Sequence, residues 1–172
     1  MSTSLSNEEK KRLSYERQSA VRKAWKEEQA RVESGHGTRL WTKEQQKEIL
    51  ERGSVHGYEG HHMKSVSLYP EQAGNPENIQ FLSEDEHLYG AHGGDYHNLT
   101  NGYYDPYTQT MKEFDGDELK ELPTYDLERE NEMADARNNY ENNIMSKSEQ
   151  NSANAISISK EETNSNSLSQ TR

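Results

Sequence analysis

Residues 58–101 read YEGHHMKSVSLYPEQAGNPENIQFLSEDEHLYGAHGGDYHNLTN, and this stretch decides the fold. It holds five of the chain's seven histidines, so any imidazole chemistry is concentrated here. Gly60-His61-His62 lies within an extended run from Val55 to Val66, where Gly57 and Gly60 permit turns or close approach. Pro70, Gly74, Asn75 and Pro76 make a loop, and Asn78 closes it. Ile79 to Leu82 is a short strand. Ser83, three residues ahead of Glu86, forms a capping box that opens a helix through His87. Gly93-Gly94 ends that helix. The order is therefore strand, structured loop, strand, helix, with histidines on the first strand and on the helix.

Neutral imidazole is the commonest metal ligand, and three converging on one divalent ion leave positions for water and a phosphate oxygen. An adjacent pair on a strand points to opposite sides, so one ring can ligate while the other stays free as a base. The spacing of His87 and His92 departs from simple helical geometry. A five-residue step leaves two side chains about 140° apart on an α-helix. Three arrangements answer this: a π-type widening near Gly90, His92 just past the helix end, or replacement of His92 by His97 or water. His36 and His56 stand alone and read as exposed loop residues. Asp95 and His97 read as ordinary loop polar groups. Lys64 shares a strand face with His62 and either reaches phosphate or lies exposed. Tyr103, Tyr104 and Tyr107 read as cover for the core.

Outward from this stretch, residues 5–34 read as one long helix behind the capping box Ser6–Glu9, with a narrow apolar stripe and Trp25 as its anchor. Gly35-His36-Gly37 breaks it. Thr42–Gln45 is another capping box, opening a helix to about Arg52 that Gly53 stops. Trp41, Ile49 and Leu50 give that helix a core-facing side. Residues 127–142 could form a polar helix with little to bury. From Ser146 the chain is rich in Ser, Asn, Glu and Gln and reads as disordered. The expected domains are an N-terminal helix or linker over 1–37, the histidine domain over 38–112 and an acidic tail over 113–172.

Composition bounds these readings. Apolar residues make up 28% of the 172 and mean hydropathy is −1.31, too polar for a core that involves the whole chain. No stretch has the length to span a bilayer as an apolar helix. The N-terminus lacks the apolar region of a secretory signal. The absence of cysteine excludes disulfides, thiolate metal sites and a thiol nucleophile. Charge is uneven: residues 1–34 carry net +2, residues 35–112 net −5 and residues 113–172 net −8. An acidic chain is a poor general binder of nucleic acid, whose affinity comes largely from Lys and Arg.

The segments GHHMKSV (60–66), YPEQAGNPENIQFL (69–82) and EHLYGAHGG (86–94), taken in order, resemble the HNH/endonuclease VII nuclease superfamily. Within it they are most similar to the GHH-signature toxin domains at the C-termini of bacterial polymorphic toxins. The likeness runs from about Leu40 to Asn101 and includes the lead-in TRLWTKEQQKEIL (38–50). It implies an α+β fold around a small ββα-metal finger with flanking helices. It implies His61 as a metal ligand, His62 as the general base and Asn78 as a brace that orients the base. His87 and His92 would complete the site for one divalent ion, Mg, Mn, Zn or Ni. The activity implied is metal-dependent hydrolysis of phosphodiester bonds in DNA, or secondarily RNA, with little sequence preference. The implied setting is interbacterial competition, with a cognate immunity protein as partner. As encoded, the chain would be a cytoplasmic protein or a toxin tip delivered with a larger carrier. The competing expectation is a non-catalytic metal-binding or protein-interaction module that keeps the finger fold. A structural zinc domain is the third.

Overall fold

The computed structural model describes residues 4–168. Helix α1 (Asn7–Glu33) starts at Ser6, whose hydroxyl accepts the Glu9 amide at 3.2 Å while the Glu9 carboxylate takes the Ser6 amide at 2.8 Å. Ala20, Ala24 and Val32 bury its narrow stripe. Trp25 stacks on Phe81 with ring centroids 3.8 Å apart. The helix is thus docked on the core by its tryptophan.

After α1 come β1 (His36–Gly37), α2 (Lys43–Arg52) and β2 (Tyr58–His62). Two 3-10 turns follow, Pro70–Gln72 and Pro76–Asn78, then β3 (Ile79–Ser83) and a π-helix over Glu86–Ala91. The chain continues through β4 (Gly102–Asp105), β5 (Thr110–Glu113), β6 (Tyr125–Asp126) and α3 (Leu127–Leu168). The strands pair antiparallel as β1 with β6, β2 with β3 and β4 with β5. The architecture is α+β. Strands β2 and β3 with the π-helix form the ββ-helix finger, its register set by His61 opposite Gln80 and His62 opposite Ile79.

The core gathers Ala20, Ala24, Trp41, Ile49, Val55, Phe81 and Leu127, with Trp25 and Tyr58 packed against it. Leu50 turns outward at 45% exposure, so only Ile49 of the expected pair on α2 is buried. Tyr104 is core, packed with Leu82 and Ala91, whereas Tyr107 is half exposed and its hydroxyl accepts the Leu40 amide.

Glu28 is fully buried on α1. One of its carboxylate oxygens accepts the Thr38 amide at 2.7 Å and the Trp41 indole N–H at 2.6 Å, and the other meets Arg31 at 3.2 Å. This acidic group ties α1 to the segment that leads into α2. Glu28→Ala would strand two buried donors and open a cavity, a loss on the order of 3 kcal/mol. Urea unfolding checks it, and a midpoint indistinguishable from wild type would refute it.

Residues up to Glu128 form one compact unit and those from Arg129 another. The acidic tail, expected to be disordered from Ser146, is helical as far as Leu168. Every residue from 135 to 164 on it is exposed. Polarity correctly announced that this segment buries nothing. It did not decide between coil and helix, because helical hydrogen bonds are local and no Gly or Pro interrupts 127–168. No described helix is long and apolar enough to cross a membrane.

Candidate active site

Strand β2 carries Gly60, His61 and His62 side by side. His61 is buried, at 3% exposure, while its neighbour His62 is half-buried. The capping box forms at the far end of β3: the Ser83 amide donates to Glu86, and the Glu86 amide donates to the Ser83 hydroxyl. Arg39 clamps the same carboxylate with two hydrogen bonds of 3.0 and 2.9 Å and also reaches the Phe81 carbonyl. This fixes where the π-helix begins and hence where His87 stands. Its wide turn closes with the His92 amide donating to the His87 carbonyl at 3.1 Å. A side chain at Gly90 would collide with the Tyr104 ring, so the widened turn lies flat on that ring only because Gly90 has none. The five-residue spacing is resolved by the π-turn, with His92 capping its end.

His61, His87 and His92 converge. Their ring centroids are 4.9, 5.0 and 5.0 Å apart, and one nitrogen from each lies within 4.8 Å of the others. The outward nitrogens are held. His87 Nδ1–H donates to Glu59 at 2.8 Å, and His92 Nδ1–H donates to the Asn98 carbonyl at 2.7 Å. Each bond leaves the Nε2 lone pair free, the arrangement that metal-binding histidines show. Burial, with His87 and His92 nearby, holds the His61 pKa well below the usual imidazole value. Burial also lowers His92. Neutral rings are what a metal requires. The triad can hold a metal ion.

With that geometry in place, part of the chain can be set beside known families. Residues 7–83 match the family described as GHH signature containing HNH/Endo VII superfamily nuclease toxin. This segment is similar to a GHH-type domain. The match takes in α1, α2 and the His61–His62 pair and stops before His87 and His92, which the fold supplies. The domain is also similar to mouse teneurin-3 (46% identity over 82 residues), human teneurin-4 (40% over 85) and fruit-fly teneurin-m (34% over 70). These alignments cover 46%, 49% and 40% of this chain and 3% of each relative. The chain therefore corresponds to a small part of those long proteins.

The fold keeps His62 apart from the triad. Its Nε2–H donates to the Ala73 carbonyl at 3.0 Å, which leaves Nδ1 unprotonated. Burial lowers its pKa as well. Asn78 is fully buried, and both ends of its amide engage the Lys64 backbone: Oδ1 accepts the amide at 2.8 Å and Nδ2 donates to the carbonyl at 3.1 Å. Asn78 braces the chain just past His62, but the His62 ring is oriented by Ala73.

Lys64 neither reaches the cleft nor lies exposed. It is buried, its ammonium donating to Asn101 at 2.7 Å and to the Gly116 carbonyl at 2.9 Å over the Tyr69 ring. All four histidines line one cleft of about 280 Å³, with Arg17, Tyr96 and Asn98 among its other walls. His97 pairs with Asp95 at the surface, and His36 and His56 are exposed elsewhere. The sequence reading missed Glu59, Asn98, Ala73 and Arg17. Only Glu59 left a signal, since strand alternation puts it on the face of His61.

Proposed function

We propose that the GHH domain is a metal-dependent nuclease that hydrolyses phosphodiester bonds of DNA, and secondarily of RNA. One observation carries the reading: a triad of converging imidazoles and a fourth, separately held histidine share one cleft. His61, His87 and His92 would hold the ion. Such an ion would supply charge stabilisation at the phosphate and at the leaving oxygen. His62 Nδ1 takes the proton of the attacking water. The Ala73 carbonyl steadies the imidazolium that results, and Asn78 keeps the strand end in place. An all-imidazole donor set suits Zn, Ni or Mn, and Mg when partly hydrated.

The biological role that fits this chemistry is a toxic effector module delivered as part of a longer chain and restrained by a cognate immunity protein. The family description supports the toxin, and the 3% coverage of the teneurins supports a module of something larger. The bacterial setting rests on the family likeness alone, because the relatives named above are animal proteins.

Plasmid cleavage by the purified chain, with EDTA and with Mg, Mn, Ni and Zn in turn, tests the activity. Nicking with at least one ion and none with EDTA is expected. A folded, metal-loaded protein that cuts neither DNA nor RNA with any of them would overturn the proposal. It would leave the second reading, a non-catalytic metal-binding module, which the net charge of −11 favours.

A further inference from the structure

Helix α1 runs beside the histidine cleft. Arg17 lines the histidine cleft and also two adjoining grooves. One groove, of about 630 Å³, leads along α1 to Lys10; the other, of about 420 Å³, leads past Gly60 and His62 to Arg22. Gly60 makes this possible. A Cβ there would fall 2.7 Å from one Val21 methyl and 2.8 Å from the other, so the helix can lie this close only on a glycine. Arg17 precedes Val21 by one helical turn and is carried on the same face to the mouth of the cleft.

Among the described residues Arg17 is exposed and meets no carboxylate, whereas Arg12, Arg31 and Arg39 are paired with Glu16, Glu28 and Glu86. Residues 1–34 hold eight of the chain's 20 Lys and Arg. Lys and Arg are thus about twice as dense in this segment as over the whole chain, and it alone of the three segments carries net positive charge, +2.

We propose that α1 is the phosphate-binding rail of the domain. Arg17 holds the phosphate next to the cut, and Lys10 and Arg22 hold its neighbours along the strand. The inference rests on the nuclease reading and adds the surface that binds nucleic acid. Seven residues from Lys10 to Arg17 rise about 10 Å, which is about three steps of a DNA strand at ~3.4 Å each. The guanidinium of Arg17 suits a phosphate because it can bond two oxygens at once.

The test is binding of a fluorescein-labelled DNA duplex by the full chain, read as anisotropy across about 50–200 mM salt. All proteins carry His62→Ala so that the probe stays intact, and Arg17→Ala is compared with Lys47→Ala, an equal loss of charge on exposed α2. Arg17→Ala should weaken binding and reduce the slope of log Kd against log salt by about one, with Lys47→Ala leaving the slope unchanged. Equal slopes for Arg17→Ala and its parent, while the His62-bearing chain still nicks plasmid, overturn the rail and leave the nuclease standing. Arg17-dependent binding by a chain that cuts nothing supports the rail and overturns the nuclease. No binding of DNA at any salt overturns the rail, and plasmid nicking by the same preparation then decides the nuclease separately.

Discussion

His62→Ala is expected to lower the cleavage rate by about 10²–10⁴-fold, the usual contribution of a positioned general base. That equals about 3–5 kcal/mol of transition-state stabilisation. The cost to the fold is smaller. The ring is half-buried and makes one hydrogen bond, to the Ala73 carbonyl, worth about 1 kcal/mol. His62 lies outside the triad, so metal uptake should not change. Single-turnover nicking at saturating metal measures the rate, and thermal unfolding with metal titration checks the other two points. A rate within threefold of wild type would remove His62 from the role of base.

The histidine finger was legible because its signals are local. Each of the three capping boxes is a four-residue pattern, and all three form. Alternation along β2 separated His61 from His62 correctly. It failed two residues later at Lys64, because the strand ends at His62 and the chain turns to bridge Asn101, taking the lysine inward. The orienting contact of His62 could not be read, since a backbone carbonyl such as Ala73 has no letter of its own. Arg17 was missed because its place depends on α1 crossing Gly60, a contact between residues about forty positions apart in the chain. The π-turn was readable only as one of three alternatives. What selects it is long-range: Arg39 fixing Glu86, and Tyr104 beneath Gly90.

The second large effect is expected at the triad, and metal concentration separates it from the first. His87→Ala removes one of three imidazoles and should lose metal affinity by more than the about 10–100-fold typical of an outer-shell change. Glu59→Gln is that outer-shell change: it weakens the acceptor on His87 Nδ1 and should fall within the 10–100-fold range. Glu59 is 56% exposed by its side chain, so its substitution should not disturb the fold. Competition against a chelating indicator gives the affinities, and cleavage is followed across the same metal series. Glu59→Gln should recover its rate when metal is raised, because its defect lies in occupancy. His62→Ala should not recover at any concentration, because its defect lies in proton transfer after the ion is bound. If raising metal restores both variants equally, His62 belongs to the metal site, and the division of the four histidines into three ligands and one base is wrong.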